Sequence, residues 1–142
     1  MFTALSKAKM PATSCVIWDK EWIGPSAANA FRPTYEVIVF SAKPGARIMP
    51  RSQGDIIRRK WMAAHSGKTG HPAEKPVDLA EALIQAVSPR IVLDPFCGGG
   101  TFLLAASRLG IRSIGIEMDP PYFEMSRSRL ADYFGPLTQK EP

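Results

Sequence analysis

With 142 residues, 45% hydrophobic and 22% charged, the chain has the make-up of a folded domain large enough to bury a core, not of a disordered or fibrous one. No apolar run approaches the roughly 20 residues that cross a bilayer, and the N-terminus lacks the apolar stretch of a secretory leader, so a cytoplasmic protein is expected. The net charge of +5 is unevenly spread: between residues 43 and 75, Lys43, Arg47, Arg51, Arg58, Arg59, Lys60, Lys68 and Lys75 face only Asp55 and Glu74, so this stretch alone exceeds the charge of the whole chain.

In chain order, Met1–Met10 reads as a short helix with Phe2, Leu5 and Met10 on its apolar side. Ser14–Asp19 is short and rich in β-formers and predicts a strand; Glu21–Pro33, with Gly24, Pro25 and Pro33, predicts a loop; Tyr35–Ser41 predicts a second strand. Residues 43–76 have no sustained periodicity but much Gly, Pro, Ser and positive charge. A long segment of that kind inside a compact domain is expected to be functional or disordered, and its cations suit a mobile loop that pairs with phosphates. Val77–Val87 places Leu79, Leu83, Ile84 and Val87 on one helical face, with Pro76 suited to the first turn and Pro89 to the stop. Arg90–Asp94 predicts a buried strand, Pro95–Thr101 a glycine-rich turn, and Phe102–Leu109 a helix closed by Gly110. Ile111–Glu117 predicts a strand alternating Ile114 and Ile116. Asp119 suits the N-cap of a last helix, with Pro120 in its first turn and Tyr122, Met125, Leu130 and Tyr133 inward. Strand, glycine turn, helix, strand and acid form a βαβ unit with parallel strands, so the fold class is α/β.

The loop Val92-Leu-Asp-Pro-Phe-Cys-Gly-Gly-Gly-Thr101 carries the most chemistry. Glycines let backbone approach a ligand, and the free N–H groups of the following helix face it. In this loop the glycines are followed by Thr101-Phe102 with no lysine, so it lacks the Gly-Lys-Ser/Thr of a phosphate loop, and it also lacks the Gly-x-Gly-x-x-Gly of a dinucleotide site. An acid at the strand end (Asp94) and an aromatic (Phe96) before the glycines suit a cationic nucleoside bearing an amino acid. Glu117 ends the next strand, where a carboxylate can accept both hydroxyls of a ribose. Cys15 and Cys97 have no Cys-x-x-Cys partner and read as small buried thiols in a reducing compartment; no disulfide or metal site is expected.

The segment His71-Pro-Ala-Glu-Lys-Pro-Val-Asp-Leu79, followed by Leu93-Asp-Pro-Phe-Cys-Gly-Gly-Gly-Thr101 and Gly115-Ile-Glu-Met-Asp119, resembles the permuted subgroup of the amino-methyltransferases of DNA, which make N6-methyladenine or N4-methylcytosine. Val16-Ile-Trp-Asp-Lys20 and Phe31-Arg-Pro-Thr-Tyr-Glu36 also resemble family segments. The resemblance implies a Rossmann-like fold with a mostly parallel sheet, S-adenosylmethionine as cofactor and DNA as partner, without membrane or metal. It assigns the methionine end of the cofactor to Lys75 and Pro76, the glycine-loop contacts to Asp94, Phe96, Gly98, Gly100 and Thr101, and the ribose to Glu117. Arg47, Arg51, Arg58, Arg59 and Lys60 become the candidate DNA contacts.

The family's catalytic motif, Asp/Asn/Ser-Pro-Pro-Tyr/Phe/Trp, is expected before the Trp-Asp-Lys segment, which would place it upstream of Met1. Its polar residue and a following carbonyl accept hydrogen bonds from the target amino group, and its aromatic stacks on the flipped base. Asp119-Pro-Pro-Tyr122 matches the pattern, but it follows Glu117 directly, where capping residues belong; Asp119 and Tyr122 are therefore catalytic candidates of second rank. In the family's sheet the catalytic strand lies beside the strand ending at Asp94. The resemblance thus implies that central strands are missing from residues 1–142, read as one incomplete domain: a fragment, half of a split enzyme that needs a complementary chain, or a sheet closed in another order. The alternatives are a non-catalytic remnant or cofactor- or DNA-binding subunit, and a methyltransferase acting on RNA or protein.

Overall fold

A computed structural model describes residues 7, 9–10, 12–24, 28–43, 45–46, 53–61 and 73–135. The chain forms two compact units, Met1–Trp61 and Met62–Pro142. The helix expected over Met1–Met10 lies outside the described residues apart from Lys7, Lys9 and Met10.

The first unit is a three-stranded sheet in the order β2-β1-β3, with β1 at Ala12–Asp19, β2 at Tyr35–Ser41 and β3 at Ile56–Arg58. β1 pairs antiparallel with β2 and parallel with β3. Trp18 anchors it, buried on β1, with its indole N–H donating to the Arg59 carbonyl at 2.7 Å. β3 lies inside the stretch read as a structureless basic loop. Its three residues are too few to show a period in the sequence, and only Ile57 is buried. Backbone bonds fix it: Ile17 N–H to the Asp55 carbonyl at 2.7 Å, Arg59 N–H to Asp19 at 3.1 Å, and Trp61 N–H to Lys20 at 2.8 Å. Cys15, expected to be buried, is exposed, because the first four residues of β1 face out on both sides.

The second unit runs α1 (Val77–Val87), β4 (Ile91–Asp94), α2 (Thr101–Arg108), β5 (Arg112–Gly115) and α3 (Pro120–Phe134). β4 and β5 are parallel, with Leu93 opposite Ile114 and Asp94 opposite Gly115. Ser88 ends α1 in the left-handed region, φ 47°, its N–H bonded to the Ile84 carbonyl, just before Pro89 forbids another helical turn. The core joins Ala80 and Ile84 of α1 to Ala105 and Ala106 of α2, with Val92, Phe102 and Ile111 packed around them. Alanines at this crossing let the helices approach closely.

Among the described residues, only one face of the β4–β5 pair is covered. Val92 points to the core, whereas Leu93 and Ile114 on the opposite face are 62% and 52% exposed. The sequence expectation of a buried strand therefore holds for one side alone. Val87 and Tyr133, expected to face inward, are also exposed. No described helix is long and apolar enough to cross a membrane.

Candidate functional site

The glycine loop is built from both strands of the βαβ unit. Ile116 N–H bonds to the Asp94 carbonyl at 2.9 Å and Cys97 N–H to the Ile116 carbonyl at 3.0 Å, extending the pairing beyond β4 and β5 into the turn. Asp94 Oδ1 accepts the Phe96 N–H at 3.1 Å, an Asx turn that bends the chain as it leaves the strand. Gly98 and Gly100 have φ of 50° and 76°, the left-handed region that a side chain disfavours. Gly100 has a second constraint: a Cβ there would lie 2.9 Å from Cβ of Ser126 on α3. Gly115 is equally restricted, since a Cβ would meet Leu103 Cδ1 at 2.5 Å and Cys97 Sγ at 2.9 Å.

Glu117 closes the turn from the far strand. Its Oε2 accepts Gly98 N–H at 2.7 Å and its Oε1 accepts Asp119 N–H at 2.9 Å. A carboxylate offers about four acceptor directions, so it can brace the loop and receive ligand hydroxyls together. Asp119 is the N-cap of α3: its Oδ1 accepts Tyr122 N–H at 3.3 Å, with Pro120 and Pro121 following. That geometry accounts for the Asp-Pro-Pro-Tyr run as local helix structure.

A cleft of about 300 Å³ lies beside the loop, lined among others by Glu74, Lys75, Asp94, Phe96, Gly98 and Thr101. Phe96 is 88% exposed at its mouth. Five of the eight residues expected to hold a cofactor thus meet at one cleft. Pro76 and Gly100 are buried and shape the backbone instead, and Glu117 reaches the site through the Gly98 amide. Cys97 is buried behind the loop; desolvation raises its thiol pKa, and the nearby carboxylates of Asp94 and Glu117 push it further up.

Two residues in this site escaped the sequence reading. Glu74 stood in the basic stretch and in the His71–Leu79 segment without a role of its own, and Arg129 was not singled out. Glu74 Oε1 lies 2.8 Å from Arg129 Nη2, with the two side chains 1% and 13% exposed. Arg129 Nη1 also donates to the Gly99 carbonyl at 3.0 Å and to Thr101 Oγ1 at 3.3 Å. The signal was present: Arg129 lies seven residues after Tyr122, on the inward stripe of α3.

Of the basic residues, Arg58, Arg59 and Lys60 lie at β3 and its exit in the first unit; Arg47 and Arg51 fall outside the described residues. Arg58 Nε sits 3.3 Å from Asp19 Oδ2, an exposed pair. The edge of this segment carries a stacked aromatic pair, Trp22 and Trp61, with ring centroids 4.5 Å apart. Among the described residues no group of three or more His, Cys, Asp or Glu is placed to hold a metal ion.

A parallel βαβ unit with a glycine turn, an acid past the second strand and a capped helix after it defines a Rossmann-like α/β protein. The profile of the N6/N4 DNA methylase family matches residues 3–128, and the chain belongs to that family. It is 32% identical over 118 residues to the inferred methylase YubD of Escherichia coli (strain K12), covering 82% of this chain and 49% of that protein. It is 44% identical over 73 residues to the type II methyltransferase M2.DpnII of Streptococcus pneumoniae, covering 50% of this chain and 25% of the other. The chain thus spans about half or less of the length of these relatives. Among solved structures, the M1.HpyAVI–SAM complex superposes with a TM-score of 0.74 at 25% identity, over 90% of this chain and 66% of that one.

Proposed function

We propose that the protein belongs to an S-adenosylmethionine-dependent methyltransferase acting on adenine N6 or cytosine N4 of DNA, and that residues 73–119 hold the cofactor. The observation that carries this reading is Glu117. Its carboxylate stands just past β5 and is fixed by two backbone N–H groups, so that its remaining acceptor capacity meets vicinal hydroxyls without reorganisation. The cleft fits the rest of the group: exposed Phe96 offers an apolar wall, Lys75 a cation for a carboxylate, and Asp94 an anion for an ammonium. When bound, the cofactor supplies an electrophilic methyl on a sulfonium. The chain's own residues orient it, by the glycine backbone on one side and the Glu117 carboxylate on the other.

The basic residues Arg58, Arg59 and Lys60, with Arg47 and Arg51, would pair with DNA phosphates. The groups that accept the target amino protons would come from a complementary chain or segment carrying Asp/Asn/Ser-Pro-Pro-aromatic. Two observations support this: Asp119 is engaged as a helix cap, and the apolar face of β4–β5 is open at Leu93 and Ile114.

Calorimetry tests the cofactor half. Glu117→Ala should weaken S-adenosylmethionine binding by on the order of 2–4 kcal/mol, the worth of two charge-assisted hydrogen bonds; equal affinity in wild type and variant overturns the assignment. Transfer of labelled methyl to unmethylated DNA tests the rest. Little or none is expected from the chain alone, and activity should appear with a segment supplying the motif. Robust activity from the chain alone, lost in Asp119→Ala, would make Asp119 and Tyr122 the catalytic pair.

A further inference from the structure

We infer that Arg129 and Glu74 are a positioning pair for the amino-acid end of the cofactor, an inference that rests on the cofactor reading above. Neither the glycine motif nor the Lys-Pro motif includes Arg129, yet its guanidinium joins the structure behind the cleft. Nη2 meets the buried Glu74 carboxylate at 2.8 Å, and Nη1 meets the Gly99 carbonyl and the Thr101 hydroxyl. That hydroxyl donates in turn to the Lys75 carbonyl at 3.3 Å. One side chain from α3 therefore sets the spacing between the Glu74–Lys75 backbone and the glycine loop, two walls of the same cleft.

The pair also sets the charge of that wall. Glu74 and Asp94 both line the cleft, and among the described lining residues only Lys75 is cationic. A ligand's ammonium accepts such surroundings; its carboxylate does not. With Arg129 against it, Glu74 counts as part of a neutral pair. Without Arg129, a carboxylate whose side chain is 1% exposed would be left without that compensation, beside the anionic end of the ligand. Arg129 is not among the cleft-lining residues, so it acts through Glu74, Gly99 and Thr101 and is a positioning residue, not a catalytic one.

A purely structural pair would weaken every ligand alike, which makes a two-ligand comparison decisive. The full chain is titrated calorimetrically with S-adenosylmethionine and with 5′-deoxy-5′-methylthioadenosine, which keeps the nucleoside and thioether but lacks the amino-acid end. Arg129→Met should lower S-adenosylmethionine affinity about tenfold or more while leaving methylthioadenosine within about twofold. Adding Glu74→Gln to Arg129→Met should recover part of the lost affinity at neutral pH. If Arg129→Met does not fold, Arg129→Lys replaces it, keeping the charge but not the two-pronged contact; the same selective loss is expected. Equal losses for both ligands, or none for either, overturn the inference. Glu117→Ala should lose both ligands, so its failure to do so indicts the cofactor reading. A wild-type chain that binds neither ligand overturns both.

Discussion

The groups around the glycine loop and those of the basic segment are held differently. In the glycine-loop unit, Glu117 is gripped by the amides of Gly98 and Asp119, and Arg129 by a carboxylate, a carbonyl and a hydroxyl. In the basic unit, Arg58 meets Asp19 in an exposed pair, the kind worth little in water. The cysteines repeat the contrast: Cys97 is buried behind the glycine turn, and Cys15 is exposed on β1. The first arrangement holds each group by several short contacts, as the proposed recognition of a small cofactor needs. The second leaves its charge exposed to solvent, as the proposed contacts to a phosphate backbone need. Substitutions should accordingly be unforgiving in one unit and graded in the other.

The largest effect is expected at Gly100. Gly100→Ala forces a Cβ into the left-handed region at φ 76° and toward Ser126 Cβ at 2.9 Å. Together these should cost about 2–4 kcal/mol in denaturant unfolding. A loss below about 1 kcal/mol would show that the turn relaxes around a side chain and would weaken the contrast between the units.

Smaller and graded effects are expected in the basic unit. If Arg58 and Arg59 each pair with a phosphate, neutralising both should flatten the log–log dependence of DNA affinity on salt by about 1.8, from about 0.9 per contact. Loss of affinity should be similar for unrelated sequences. An unchanged slope returns both residues to an ordinary solvated face.

The cysteines give the smallest effect and the sharpest contrast. Burial, with Asp94 and Glu117 adding, raises the Cys97 thiol pKa, so Cys97 stays protonated where an ordinary thiol begins to ionise. Alkylation should therefore mark Cys15 well before Cys97. Because the folded pKa lies above the unfolded one, the stability from this group is full below the ordinary thiol pKa and is lost as pH rises through the folded value. Cys97→Ser should remove that alkaline decline from a series of unfolding curves. Equal labelling of both thiols would contradict the burial on which the comparison rests.

Local pattern alone was enough for much of the second unit. Leu79 and Ile84 at helical spacing, the apolar run from Ile91 to Leu93, and Pro120 after Asp119 each report a short-range preference, so α1, β4, α2 and α3 lie where the sequence places them, to within a residue or two at their ends. The glycines likewise announce a turn, since few other residues tolerate φ of 50° and 76°. Glu117 was legible because strand periodicity fixes which residue follows the strand.

What depended on partners distant in sequence could not be read in this way. β3 exists because Asp55, Arg59 and Trp61 exchange backbone bonds with Ile17, Asp19 and Lys20, some 40 residues away. The exposure of Leu93 and Ile114 reflects which face of the sheet the helices cover, and apolar identity is the same on either face. Arg129 and Glu74 lie 55 positions apart, and each alone reads as an ordinary charge. Sequence therefore determined the βαβ unit, its glycine turn and the carboxylate that follows the second strand, because their information is local. Tertiary structure decided how the cleft walls are held and what charge they carry, because a buried ion pair has meaning only once the fold brings its halves together.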